Sequence, residues 1–308
     1  MTIVTVKAND GPRNAFIDKQ SSLRYYRWGD RTVPSVTSIR NMAGQPHALV
    51  SWKISRIVQR ACGRIVKDEQ GRETGWEEGS LAELTEMLSR EPRPRERVVE
   101  KNRIKEASAW LRSAFEEERD IASARGTAVH KAAEQGIAVL DIGDYTDPES
   151  GVTIPAEEIR PKYRQYLDWL QQSGIEVLLS ERQIWNLTLG YAGSFDILGR
   201  FPNGEVWIVD IKTGKHTYSD HVLQQIAYLM GEFIGQDDVV DDDATALLHQ
   251  VAGVAILHLA DDGWTFIRPE VDSEAWAAFR GLLAFATWTR DHDGEAAFTV
   301  AKKSGAAS

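Results

Sequence analysis

The sequence predicts an α/β or α+β fold with a mostly helical N-terminal portion. Apolar residues recur at helical spacing as far as residue 173, then alternate with period two across residues 175–212. Beyond that point the patterns run helix, strand, strand, helix to residue 290.

Taken in order, residues 23–28 and 32–36 read as a short hairpin turning at Gly29-Asp30, and residues 35–40 open a helical region. Residues 46–62 are expected as a helix that turns Leu49, Trp52, Ile57 and Val58 toward a core, and 74–90 as another, broken by Pro92 and Pro94. Residues 96–124 carry Trp110, Leu111 and Phe115 near helical spacing. A separate short helix, 127–136, ends at Gly136, and 137–155 reads as loop because of Asp147-Pro148 and Gly151. Residues 156–173 form an amphipathic helix with Tyr163, Tyr166, Leu167 and Leu170 on one face and Gly174 as its stop. Strands follow at 175–185, 191–201 and 206–212, the last two joined by the turn Pro202-Asn203-Gly204. Residues 219–233 are expected as a helix, the acidic run 237–243 as a loop, and 248–259 with 264–269 as a hairpin around Asp261-Asp262-Gly263. Residues 273–290 close the chain with Trp276, Phe279 and Leu283 at helical spacing, and the tail 301–308 is expected to be flexible.

The 308 residues are 42% hydrophobic, enough for one large core or two small ones. No apolar run approaches the roughly 20 residues of a membrane helix, and residues 1–11 lack the apolar stretch of a secretory leader, so an intracellular location is expected. Cys62 is the single cysteine, which excludes an intrachain disulfide and an iron–sulfur cluster held by about four thiolates. The net charge of -10 argues against a nucleic-acid partner at first sight, yet the charge is uneven. Arg27, Arg31, Arg40, Lys53, Arg56, Arg60 and Arg64 lie between Arg24 and Lys67 against Asp30 alone, a second basic stretch runs over 90–105, and the acids gather at 237–243. Such a half can track phosphates; solvated helix faces are the plainer explanation.

The chemistry concentrates in two strands. Residues 193–197 read Gly-Ser-Phe-Asp-Ile and residues 208–214 read Ile-Val-Asp-Ile-Lys-Thr-Gly. Alternation puts Asp210 and Lys212 on one side and Val209 and Ile211 on the other, and an antiparallel pairing through the turn brings Asp196 beside Asp210. Adjacent carboxylates repel unless a cation sits between them, and oxygen ligands suit a hard divalent ion. Such an ion next to Lys212 suits phosphodiester cleavage: the metal lowers the pKa of a bound water and the lysine orients it or stabilises developing charge. Asp-x-Lys by itself is ordinarily a solvated strand end, so its neighbours matter. His130, on a helix between small residues, can take a further coordination position, though a lone helical histidine is usually a surface or core residue. Gln224 and Tyr228 share a helix face and can hydrogen-bond a phosphate or the lysine; an amphipathic helix with a partly buried tyrosine is the plain alternative. His216, His221, His249 and His258 read as exposed loop histidines. Trp110, Trp169, Trp207 and Trp276 fall at core-like positions, and Trp185 and Trp264 read as packing aromatics before base-stacking ones.

In this order, Gly-Thr-x-x-His, Gly-x-x-Asp, Asp-x-Lys-Thr-Gly and Gln-x-x-x-Tyr, spanning Gly126 to Tyr228, the chain resembles the RecB-like nucleases of the PD-(D/E)xK superfamily. Residues 33–37, Val-Pro-Ser-Val-Thr, are similar to phage-encoded members. The resemblance implies a restriction-endonuclease-like core over 116–300, with a central mixed β-sheet flanked by helices, and a helical portion over 1–115 that shapes a DNA channel. It implies His130, Asp196, Asp210 and the backbone carbonyl of Ile211 as ligands of Mg²⁺ or Mn²⁺. Lys212 would be the catalytic lysine and Glu181 a further carboxylate, with Gln224, Tyr228, Arg125 and Thr213 binding DNA or supporting the site. Phe195 stands where a naive motif has proline, and the four-cysteine cluster of some relatives is absent. The implied activity is a metal-dependent DNA exonuclease of recombination, repair or phage DNA processing. The alternatives are a structure-selective endonuclease of the same fold and a non-catalytic DNA-binding recombination partner. DNA is the expected partner, with a recombination or single-strand-binding protein beside it, in the cytoplasm of the cell or of a phage host.

Overall fold

In the computed structural model, which describes residues 15–17, 23–44, 47–68, 70–89 and 99–292, the chain opens with β1 (Ala15–Ile17), β2 (Arg24–Trp28), β3 (Arg31–Pro34) and α1 (Val36–Asn41). It continues through α2 (His47–Cys62), β4 (Gly63–Lys67), β5 (Glu73–Glu78), α3 (Leu81–Ser89), α4 (Val99–Gln135), β6 (Tyr145–Thr146), β7 (Thr153–Ile154) and α5 (Ala156–Ser173). Then come β8 (Glu176–Asn186), β9 (Tyr191–Arg200), β10 (Val206–Lys212), α6 (Asp220–Leu229), β11 (Phe233–Gln236), β12 (Val239–Val240), α7 (Asp242–Leu248), β13 (Val251–Ala260), β14 (Gly263–Ile267) and α8 (Ser273–Asp291). The expected tail, 301–308, and residues 90–98 of the second basic stretch lie outside the described residues.

Two units are formed. The first holds the described residues of Met1–Gly44, Arg125–Tyr145 and Pro155–Ser308. Its sheet has the order β12-β11-β8-β9-β10-β13-β14. The meander β8–β9–β10 is antiparallel, and β10 pairs in parallel with β13 after the α6 connection. This is a mixed α/β architecture with helices against the sheet. Val36 and Ile39 of α1, Ile226 and Tyr228 of α6, and Phe279 and Leu283 of α8 share one apolar cluster with Ile184, Tyr191, Phe195, Leu198 and Ile208. Elsewhere in the unit Trp169 of α5 stacks on Phe266 at 5.8 Å, and Trp185, 0% exposed, packs among Tyr26, Trp28 and Phe233.

The second unit holds the described residues of Gln45–Ala124 and Thr146–Ile154. Here Arg56 Nε lies 3.1 Å from Glu118 Oε2 and Arg60 Nη2 3.1 Å from Glu117 Oε1, with the Arg60 guanidinium over Trp110. Two arginines expected to follow a phosphate backbone are therefore ion-paired within the unit.

Several expectations are corrected. The boundary at 115/116 does not separate a helical part from the sheet part, because β2, β3 and α1 belong to the sheet unit: Val36 and Ile39 are fully buried in its core, and Ser35 bridges Ala192 of β9. The two helices at 96–124 and 127–136 are one continuous helix, α4. A glycine inside a helix costs only ~1 kcal/mol relative to alanine, so Gly126 does not stop it. Residues 74–90 are not one helix: Glu73–Glu78 pair with β4 and only Leu81–Ser89 are helical. The helix at 219–233 ends at Leu229, and Phe233–Gln236 join β8 as a strand. The acidic run is ordered. Asp237 and Asp238, at φ 52° and 64°, turn β11 into β12, and Asp241 caps α7 by accepting from the Ala244 N–H at 2.9 Å. Trp52 and Ile57 are only half-buried, Val58 is exposed, and the side chain of Leu49 lies outside the described residues. Trp110 and Trp276 are half-buried as well, whereas Trp169 and Trp207 are buried. Among the described residues no helix is long and apolar enough to cross a membrane.

Candidate functional site

The site forms where β8, β9 and β10 meet the last turns of α4. The β9–β10 ladder runs from Val206↔Arg200 to Val209↔Ile197 and stops there. One step further the Asp196 side chain replaces the ladder: Asp196 Oδ2 accepts the Ile211 N–H at 2.5 Å. Phe195 and Leu198 both lie in the apolar cluster although they are three apart, so strict alternation does not hold across the stretch that carries Asp196. The neighbouring strand is irregular at the same level. Glu181, between the pairs Ser180↔Ile197 and Arg182↔Phe195, has φ 50°, a left-handed conformation unusual for a non-glycine residue.

His130 approaches this irregularity from α4. Its Nε2–H donates to the Ile211 carbonyl at 3.0 Å, and Nδ1 lies 3.5 Å from both Glu181 Oε1 and Asp196 Oδ1. His130, Glu181 and Asp196 offer ligand atoms that all lie within 4.8 Å of one another. The glycine of Gly-Thr-x-x-His explains the approach: a Cβ at Gly126 would stand 3.1 Å from Thr213 Oγ1, so α4 packs tightly beside the end of β10. Gly193 has a similar part, since a Cβ there would stand 2.8 Å from Tyr228 Cε1 and 3.0 Å from Val36 Cγ2. Gly193→Ala is therefore expected to lower unfolding free energy by about 1–3 kcal/mol in urea denaturation; an unchanged midpoint would contradict the close packing of Tyr228 on β9.

Asp210, fully buried, does not join the trio. Its Oδ2 lies 2.5 Å from Lys212 Nζ, off the direction a hydrogen bond requires, and its Oδ1 accepts from Gln224 Nε2 at 2.9 Å. Gln224 Nε2 also donates to Tyr228 Oη at 2.9 Å, and Tyr228 donates to the Ser194 carbonyl at 2.5 Å. The structure thus brings together Asp210, Lys212, Gln224 and Tyr228 as one contact chain, and His130, Glu181, Asp196 and the Ile211 carbonyl as another. Arg125 is placed in an ion pair with Glu158 of α5. His221 is not an exposed loop histidine: it is buried in the first turn of α6, and its Nδ1 accepts from the Tyr218 N–H at 3.3 Å. His258 lies on β13 and donates to the Gly214 carbonyl at 2.7 Å.

The charges follow from burial and proximity. Burial favours neutral His130, but the Asp196 and Glu181 carboxylates outweigh it and hold the imidazole well above its ordinary pKa. Burial would raise Asp196, yet His130, Lys212 and the Ile211 N–H hold its carboxyl below the usual range. Glu181 goes up, by burial first and then by the charges of Asp196 and Glu134, against its contact with His130. Asp210 is also raised, burial exceeding the pull of Lys212. Burial and then the charges of Lys212 and Arg40 push His221 down to about 4. The two carboxylates thus favour the protonated form of His130 between them. Two carboxylates and an imidazole gathered within 4.8 Å of one another are also donors that suit a Mg²⁺ or Mn²⁺ ion.

No family model matches the chain. No curated protein matches it. Among solved structures it is similar to one described as the crystal structure of SSO0001, at 16% identity and a TM-score of 0.25. That match covers 42% of this chain and 57% of the other, and at this TM-score it carries no argument.

Sequence reasoning missed two residues. Glu134 lines the same cavity as His130 and Glu181, and its position one helical turn after His130 was a usable signal. Arg40 donates to Gln224 from α1, and nothing in its surroundings in the sequence marks it. Glu181, the further carboxylate that the resemblance implies, is set in place by its left-handed backbone. Glu181→Gly should be about 1 kcal/mol more stable in EDTA than Glu181→Ala, because both lose the carboxylate beside His130 and only glycine relieves the left-handed strain; both should weaken Mn²⁺ binding. Equal urea midpoints for the two variants would show that the strain reading is wrong.

Proposed function

We propose that the chain is a divalent-metal-dependent deoxyribonuclease with a PD-(D/E)xK core of the RecB-like subgroup. The observation that carries this reading is the convergence of His130, Glu181 and Asp196 beside the Ile211 carbonyl, one residue from the Asp210–Lys212 pair. The ordered motifs between Gly126 and Tyr228 support it, as does an antiparallel meander followed by a helix and a parallel strand.

His130, Asp196 and the Ile211 carbonyl would hold Mg²⁺ or Mn²⁺ together with Asp210, the ligand that the resemblance implies, and Glu181 would be the further carboxylate. The bound ion supplies Lewis acidity toward phosphate oxygen and a lowered pKa for water. Lys212 contributes a fixed ammonium that stabilises charge building on the phosphate and helps to orient the attacking water. Asp210 holds that ammonium in place, and Gln224 holds Asp210. Tyr228 anchors the amide to β9 through Ser194. Asp196, whose carboxyl His130, Lys212 and the Ile211 N–H hold below the usual range against its burial, would ligate in its ionised form.

We favour exonucleolytic digestion in recombination, repair or phage DNA processing, with DNA and a recombination or single-strand-binding protein as partners in the cytoplasm. The experiment offers the purified chain linear and covalently closed circular DNA with Mg²⁺ or Mn²⁺. Linear DNA is expected to be degraded and circles spared; cut circles would replace exonuclease by endonuclease. Asp196→Ala is expected to abolish cleavage, and an active Asp196→Ala protein would remove the carboxylate from the mechanism.

A further inference from the structure

Arg40 contacts Gln224 across 184 residues of sequence. Its side chain is 16% exposed and makes three contacts: Nε lies 3.1 Å from Asp220 Oδ2, Nη1 donates to Gln224 Oε1 at 2.9 Å, and Nη2 donates to Asn41 Oδ1 at 3.4 Å. Gln224 is 6% exposed, and its amide has one accepting and one donating end. A guanidinium only donates, so it can face only Oε1. Nε2 is then left on the other side, where it meets Asp210 Oδ1 and Tyr228 Oη, each at 2.9 Å. Turned over, the amide would set donor against donor at Arg40 and oxygen against oxygen at Asp210. The mismatch at Asp210 is buried, where an unmet polar group costs about 1–3 kcal/mol, and the one at Arg40 is part-buried and costs less.

We propose that Arg40 is a positioning residue for the site: from α1 it fixes the orientation of the Gln224 amide, and through that amide it holds Asp210 with one oxygen engaged and the other turned to Lys212. The competing role is a staple between α1 and α6 through Asp220 alone, in which Gln224 would be indifferent to Arg40. The effect on metal binding rests on the nuclease reading; the orientation of the amide does not.

The experiment uses the full ¹⁵N-labelled chain, with Gln224→Leu assigning the side-chain amide by its disappearance. The Gln224 NH₂ protons are expected to exchange slowly in the parent and about tenfold faster in Arg40→Met and Arg40→Lys, with cooperative unfolding retained. Lysine keeps a charge near Asp220 but has no second arm for Gln224, so it carries the test if the methionine variant does not fold. Unchanged protection in a folded Arg40 variant overturns the proposal. A second arm measures Mn²⁺ binding. Arg40→Met is expected to weaken it about tenfold, and less than about twofold when added to Gln224→Leu. Equal losses in both backgrounds overturn the route through Gln224. A parent chain that neither binds Mn²⁺ nor cleaves DNA overturns the nuclease reading, and the exchange arm still decides Arg40.

Discussion

Lys212→Met is expected to slow DNA cleavage by about 10²–10³-fold and to make the protein's stability fall more steeply with pH. The first effect is the loss of a fixed positive charge where phosphate charge develops. The second comes from Asp210, which is fully buried and has Lys212 Nζ 2.5 Å from its Oδ2. Removing one partner of a buried pair leaves an uncompensated charge and costs 3–5 kcal/mol in fully buried cases. Lys212 is 21% exposed, so about 3 kcal/mol or less is expected here. The sign with pH is fixed by the direction of the shift. Asp210 is already raised by burial, and the pull of Lys212 opposes that rise. Without Lys212 its folded pKa climbs further above the unfolded value of about 3.9. A carboxyl shifted upward binds more protons in the folded state, so stability falls as pH rises through that window. The deficit of Lys212→Met should therefore be largest at pH 7 and shrink toward pH 5, in urea titrations with EDTA. An equal deficit at both pH values would mean that Asp210 is not the source.

How far such a site can be read from sequence depends on whether each contact is local. The β9–β10 pairing was legible because Pro202-Asn203-Gly204 fixes a tight turn, and the turn fixes the register that sets Asp196 level with the end of the ladder. The Gly174 stop of α5 was legible for the same reason: a positive φ, here 64°, marks a helix end by local sterics. Gly126 looks like a helix break and Gly231 lies inside the expected helix 219–233, because a glycine can serve packing as well as termination. Gly126 sits inside α4 to admit Thr213, and a Cβ at Gly231 would stand 2.3 Å from Ile184 Cδ1. The strand at Glu73–Glu78 is exposed throughout, so no buried face imposed alternation on it.

The chemistry divides along the same line. Asp-x-Lys places two groups by strand period alone, and those two do touch. Which carboxylate faces His130 is not set by period. It depends on a broken alternation between Phe195 and Leu198 and a left-handed Glu181, neither of which has a signature in residue type. The expectation that Asp196 and Asp210 lie side by side facing one cation assumed unbroken strands. In the structure Glu181 stands with Asp196, and Asp210 turns to Lys212 and Gln224.

That arrangement makes metal binding a proton exchange. His130 is held protonated by the two carboxylates it touches, so a divalent cation must displace its proton to take the imidazole as a ligand. Affinity for Mn²⁺ should accordingly rise by about tenfold per pH unit below the raised pKa of His130 and level off above it. The stability of the metal-free chain runs the opposite way. A histidine whose folded pKa lies above the unfolded value contributes stability that is complete below about pH 6.5 and is lost as pH rises through the folded pKa. Mn²⁺ at a hundredfold excess over its Kd should restore about 2.7 kcal/mol, so the gap between EDTA and Mn²⁺ unfolding curves should widen with pH. Calorimetry in two buffers of different ionisation enthalpy counts the released protons directly, and a net release is expected. The Glu181→Gln and Asp196→Asn variants should lose both the affinity and its pH dependence, because each removes a carboxylate that ligates the ion and holds the proton. Binding that is flat between pH 6 and 8, with no proton released, would mean that the cation does not bind where His130, Glu181 and Asp196 meet.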